Sequence, residues 1–340
     1  MPCLVRPVGS TPSLGDPLVD EYLRFTAARV RANTLTAQAF DLKVFFTVVP
    51  KAPQQVTVTD VLLFIEAQRS PRRGGNVIRL ADGEAGLAAS TIKRRLATVS
   101  SLFDYLFLRG ICDRNPVPRS LGARHARPDG RGHGGRRGAP LVRAPRKLPR
   151  VLAPAEVGAL TGALRTDRDR AMVALMVHGW LRRCEVLGLR FEHVQVGDRR
   201  VFVADGKGGH QRLVPVADIF FTNLASYLSR ERPAEAVDDH VFVVLKGPNR
   251  GRPLTAAGLD EVMAGARGRA GLSHASCHEL RHTCFTRLRE AGMALEAIQA
   301  QAGHASIETT RVYLHLSNDW LAGEYQRAMA ILDGLHEEEQ

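Results

Sequence analysis

Apolar residues in the first third of the chain recur with helical spacing. Ile92, Leu96, Val99, Phe103 and Leu106 follow at steps of four, three, four and three, which predicts one helix with a single apolar stripe. On that wheel Lys93 lies about a quarter-turn from the stripe and Arg94 nearly opposite, so both are expected to face outward, and so is Arg95. Ser90 or Thr91 is the expected N-cap. Segments 17–30, 34–48 and 59–68 carry the same period, and a polar, glycine-rich insertion over 70–86 separates the third helix from the fourth. The pattern predicts a tail over residues 1–15 and a small all-α domain over 16–117.

Past residue 150 the period changes. Helices are predicted over 157–164 and 171–189, and residues 194–216 then alternate in the manner of strands. Asp205-Gly206-Lys207-Gly208-Gly209 supplies the residues of a hairpin turn. Helical spacing returns over 255–269, 278–291, 295–302 and 306–313. A last amphipathic helix carries Leu321, Tyr325, Ala328 and Leu332. The fold class is therefore mainly α with a small antiparallel sheet: an all-α domain followed by a mixed α+β domain over 151–340. No internal repeat is evident.

Charge adds a boundary. The chain of 340 residues has a formal net charge of +12, and the stretch 118–150 holds nine arginines and one lysine against Asp129 alone. Rich in glycine and proline and without period, it reads as a basic linker. Such a linker, with Arg136 and Arg137 at its centre, suits a path along a phosphate backbone, where each neutralised phosphate releases counterions. A merely solvated spacer is the plainer alternative. At 44% hydrophobic and 24% charged residues the composition is that of a globular protein. The longest apolar run, 171–177, is far below the roughly 18 residues a membrane span needs. Five cysteines at irregular spacing and no recognisable secretion signal point to the cytoplasm.

Three chemistries compete for the polar residues. His278-Glu279-Leu280-Arg281-His282 spells the zinc-protease motif H-E-x-x-H, but Arg281 and Arg287 put positive charge beside the supposed cation. Gly206-Lys207-Gly208 lacks the spacing and hydroxyl of a P-loop, so nucleotide use is unsupported. A wider set consists of Arg182, Lys207, His278, Arg281, His304 and Tyr313. Singly, each has an ordinary explanation: Arg182 as partner of Glu185, Lys207 in an exposed turn, Tyr313 in the core. Together they are the parts for metal-free phosphoryl transfer. Two guanidiniums clamp the non-bridging oxygens, a phenol attacks, and a lysine protonates the departing 5′ oxygen.

From about Leu148 onward the chain closely resembles the catalytic domain of tyrosine recombinases, the phage-integrase family. The matching segments are 181–189 (Leu181-Arg182-Arg183-Cys184-Glu185-Val186-Leu187-Gly188-Leu189), the hairpin 206–209, the helix 278–283, and Gly303-His304-Ala305-Ser306 followed by Thr309-Thr310-Arg311-Val312-Tyr313. The N-terminal helices resemble, more loosely, that family's SAM-like core-binding domain. The resemblance implies that Arg182 and Arg281 bind the scissile phosphate, Lys207 protonates the leaving group, and His278 and His304 assist. Tyr313 would attack to leave a 3′-phosphotyrosyl link, and Glu185 would orient Arg182. It further implies no cofactor or metal, double-stranded DNA as partner with contacts from Lys93, Arg94 and Arg95, and four protomers at synapsis. The resemblance also implies an accessory DNA-bending protein or a partner recombinase. The extra insertion and long linker incline the reading toward integration or excision of a mobile element. The alternatives are Xer-type resolution of chromosome dimers or a non-cleaving DNA-binding relative.

Two positions depart from the family pattern. Trp180 stands where glycine is frequent, with Gly179 just ahead of it, and Ala302 stands where leucine is common. A continuous helix through 171–189 would also set Val173, Met176, Val177, Trp180, Cys184 and Leu187 on one stripe and turn Arg182 away from the core. The catalytic reading therefore expects a break near His178-Gly179, or an outward catalytic face.

Overall fold

The computed structural model describes residues 11–70, 86–118, 141–143, 150–206, 211–236 and 238–302, together with Gln326 and Met329. It divides into two compact units, Met1–Arg146 and Lys147–Gln340. Among the described residues no helix is long and apolar enough to cross a membrane.

Among the described residues the first unit is built on four α-helices: α1 (Pro17–Ala27), α2 (Ala32–Val48), α3 (Val58–Arg69) and α4 (Ala89–Leu108). Each start has a local cause. Asp16 accepts the Leu18 and Val19 amides ahead of α1 with Pro17 in its first turn, and Thr57 and Asp60 form a capping box on α3. The α4 stripe is buried along its whole length, from Ile92 to Leu106, and meets Phe45 and Phe64 in an edge-to-face aromatic centre. The α4 N-cap is Ala88, without a side-chain bond, so the helix starts earlier than Ser90 or Thr91 would set it. Val142, within the stretch read as linker, is buried in this unit's core.

The second unit centres on α6 (Asp167–Val177), whose residues from Ala171 to Val177 are all buried and which lies against α8 (Asp218–Arg230) and α10 (Cys277–Glu290). Around them stand α5 (Pro154–Gly162), α7 (Arg183–Leu187), α9 (Ala256–Arg269) and α11 (Leu295–Ala302). A three-stranded antiparallel sheet runs β1 (Val194–Gln195), β2 (Arg200–Val203) and β3 (Arg212–Pro215), with Val201 opposite Val214 and Val203 opposite Arg212. Val201, Val203 and Val214 turn inward, as the alternation requires. The fold class is the one the hydrophobic pattern predicts. The pattern missed α8, although Phe220, Phe221, Leu224 and Tyr227 are spaced for one buried helical face.

The helix predicted over 171–189 is in fact broken. α6 stops at Val177, and the Gly179 and Leu181 amides both donate to the Leu175 carbonyl at 3.1 Å. Gly179 has no room for a side chain, since a Cβ there would stand 2.9 Å from the Leu175 carbonyl oxygen. Trp180 takes a left-handed backbone at φ 58°. Such a conformation disfavours a bulky residue by about 1–2 kcal/mol, and it accounts for glycine as the alternative at this position. The Trp180 ring offsets that strain through burial: it is fully enclosed with Cys284, Phe285 and Ile298.

Candidate active site

The break re-aims Arg182. Its backbone is extended (φ −76°, ψ 154°) at the cap of α7, and its amide donates to Glu185 Oε2 at 2.8 Å while its guanidinium donates to Oε1 at 2.7 Å. Glu185 is almost wholly enclosed, and Arg212 on β3 grips both its oxygens at 3.1 and 2.8 Å. Burial alone would raise the Glu185 carboxyl. The hydrogen bonds and charges of Arg212 and Arg182 outweigh it and bring the pKa down to about 2. Glu185 is thus a fixed anion, and it fixes Arg182.

Arg281 reaches the same break from α10. Its guanidinium donates to the Trp180 carbonyl, two residues before Arg182, and lies over the Trp180 ring at 5.1 Å from the centroid. The ring in turn meets Phe285 edge-on. The start of α10 is set by a Ser276–Glu279 capping box. His278 sits one turn ahead of Arg281. Burial first, then the positive charges of Arg281 and Arg182, hold its imidazole below the usual histidine range against the opposing pull of Glu279. That both guanidiniums act on this one ring places Arg182, His278 and Arg281 in one neighbourhood. Two fixed cations beside a neutral, half-exposed imidazole suit a tetrahedral oxyanion and a proton relay.

The zinc-protease motif has a different job here. The Glu279 carboxylate accepts the Ser276 amide at 2.7 Å, so the general base such an enzyme requires is committed to its own helix terminus. The two imidazoles bond directly, Nε2 to Nε2 at 2.7 Å.

Of the six expected catalytic residues, the described structure gathers Arg182, His278 and Arg281, together with Glu185. Lys207, His304 and Tyr313 lie outside the described residues, as do Arg136 and Arg137. Among the helix candidates, Lys93 is exposed. Arg94 turns both terminal nitrogens onto the buried Asp41 carboxylate. The expectation that Arg95 faces outward is corrected: its side chain is 8% exposed and donates to Gln68 at 2.9 Å, because α2 and α3 place Asp41 and Gln68 against that side of α4. Arg212 escaped the reading of the sequence altogether. One arginine in a short alternating strand looks like an edge residue until its partners 27 and 89 positions away are known.

Comparison with known proteins gives a consistent picture. The model of the phage integrase family matches residues 150–319. Tyrosine recombinase XerC of Serratia marcescens is 28% identical over 322 residues, covering 93% of this chain and 95% of that protein. XerC of Yersinia pestis is 30% identical over 249 residues, covering 72% and 74%. Among solved structures, the Tn1549 transposon integrase in complex with circular intermediate DNA superposes with a TM-score of 0.65 at 17% identity, over 91% of this chain and 97% of that one. A lambda integrase dimer bound to a core site gives 0.60 at 19% identity, over 87% and 93%. These two likenesses concern the fold.

Proposed function

The chain belongs to the phage integrase family, a tyrosine-type site-specific recombinase, and from that premise we propose that Arg182 and Arg281 hold one phosphodiester of duplex DNA for attack by Tyr313. The Tyr313 oxygen forms a bond to phosphorus as the bond to the 5′ oxygen breaks. Lys207 gives that oxygen its proton, and His278 or His304 takes the phenolic proton. The product is a 3′-phosphotyrosyl link and a free 5′ hydroxyl. Reversal by a 5′ hydroxyl from another strand restores a phosphodiester, so one ester replaces another and bond energy is conserved. The observation that carries this reading is the Arg281 guanidinium anchored on the carbonyl of the very turn that delivers Arg182.

Duplex DNA as ligand is supported by the basic composition and by the DNA on which relatives of this fold are held. Lys93 and linker residues Arg136 and Arg137 supply phosphate contacts, with Arg94 in a lesser role because Asp41 already neutralises it. Exchange between two duplexes needs two cuts on each, hence four protomers, and the segment 318–332, which lies almost wholly outside the described residues, has two readings: docking on a neighbour or packing on its own subunit. In biological role we favour integration or excision of a mobile element, supported by the insertion over 70–86 and the long linker. A second reading, Xer-type dimer resolution, is favoured by the XerC proteins among the relatives.

The test is a nicked duplex library with a randomised core, incubated with the protein and chelator and captured in SDS. The reading expects a covalent adduct that withstands chelator and disappears with Tyr313→Phe. An adduct that survives this substitution refutes Tyr313 as nucleophile, and binding without adduct favours a non-cleaving protein. Sequencing captured cores from host DNA separates element ends from a chromosomal resolution site.

A further inference from the structure

Arg212 opens β3, opposite Val203 in the last pair before the turn of the hairpin. Its side chain is 8% exposed, and three of its nitrogens each meet a protein acceptor. The two terminal nitrogens take the two oxygens of Glu185, while Nε donates to the Gln301 carbonyl at 2.8 Å. Glu185 in turn holds Arg182 through both backbone and side chain. Gln301 belongs to the last turn of α11, where helical carbonyls have no partner within the helix, and a cation is favoured there. A guanidinium is planar and rigid, so bonds from its three nitrogens fix three directions at once. Lysine, a point charge on a flexible stem, cannot reproduce that. The arrangement joins the start of α7, the start of β3 and the end of α11 through one buried fork.

We propose that Arg212 is a positioning residue of the strand-transfer reaction, holding the Arg182–Glu185 clamp in register with the C-terminal end of α11. The inference rests on the role given to Arg182 above. It differs from a structural ion pair in one respect: loss of Arg212 must slow chemistry more than it weakens the fold or DNA binding, and it must do so through Glu185.

The experiment uses the full chain and the nicked duplex enriched by covalent capture. Adduct formation is followed in a single turnover, duplex affinity by titration, and folding by the thermal midpoint. Arg212→Met is expected to slow adduct formation by about tenfold to a hundredfold, the penalty for a displacement near 1 Å, with affinity within about threefold of the parent. Arg212→Lys should recover part of the rate. Combining Arg212→Met with Glu185→Gln should be no slower than the worse single variant, since both remove one unit. A rate for Arg212→Met within twofold of the parent overturns the proposal. So do fully multiplicative losses in the double variant, or an unfolded Arg212→Met beside an Arg212→Lys of parental rate. If the unsubstituted protein forms no adduct, the strand-transfer reading itself fails, which is distinct from a normal parent with an indifferent Arg212.

Discussion

Asp41 in the N-terminal unit and Glu185 in the C-terminal unit are both enclosed carboxylates met by two arginines, but their outer guanidiniums are used differently. Arg94 spends both terminal nitrogens on Asp41, with Thr98 adding a hydroxyl at 3.2 Å and Arg95 lying 3.6 Å away. That set bolts α2 to α4. At Glu185 the inner arginine, Arg212, takes both oxygens, and the outer one, Arg182, contributes a single guanidinium nitrogen among the described residues. Among the described residues no other acceptor meets that fork, and the proposed function assigns it to the phosphodiester. A buried ion pair is by itself weak grounds for function; what distinguishes a lock from a clamp is how much of the outer guanidinium its carboxylate consumes.

The largest effect should come from opening the lock. Asp41→Ala takes the buried carboxylate away from Arg94 and from Arg95, which keeps its bond to Gln68, and is expected to destabilise the first unit by about 3 kcal/mol, read by urea denaturation. A loss below about 1 kcal/mol would mean that water replaces the pair. The clamp should respond next, and to acid. With its folded pKa near 2 against an ordinary 4.5, Glu185 contributes stability above pH 4.5 that is lost as pH falls toward 2. Its share at neutral pH is about 3 kcal/mol. Glu185→Gln should therefore be less stable than the parent at neutral pH, with the gap closing across that acid window. A gap independent of pH would break the assignment. Trp180→Gly should lower stability by about 2 kcal/mol, because lost burial of about 3–5 exceeds relief of the left-handed backbone by about 1–2. A thermal midpoint at or above the parent's would show that strain dominates. Smallest is Lys93→Ala, within about 0.5 kcal/mol in stability. If Lys93 meets a phosphate, the slope of log affinity against log salt falls by about one; an unchanged slope removes it from the interface.

The same contrast explains what the sequence made legible. The α4 stripe from Ile92 to Leu106 and the alternation of Val201, Val203 and Val214 are local periods, and both were readable. The outward expectation for Arg95 failed because its partners sit on α2 and α3, and no helical wheel contains them. The stripe through Trp180 argued for a helix that does not exist. Only the chemical requirement on Arg182 called for the break, and the tight packing of Gly179 is what enforces it. That Arg182, His278 and Arg281 come together was expected, because phosphate chemistry limits which side chains serve. Arg212 was not, because its meaning lies in what it holds rather than in what it touches on a substrate.

The central claim, that Arg182 works on the charge of a phosphodiester, is tested most directly by removing that charge from the DNA. Single-turnover adduct formation by the parent and Arg182→Ala is compared on the captured nicked duplex and on the same duplex with a neutral methylphosphonate at the scissile position. A clamp predicts a severe loss for Arg182→Ala on the phosphate and a loss at least about tenfold smaller on the methylphosphonate, because the neutral centre no longer needs the cation. Equal losses on both substrates would contradict it.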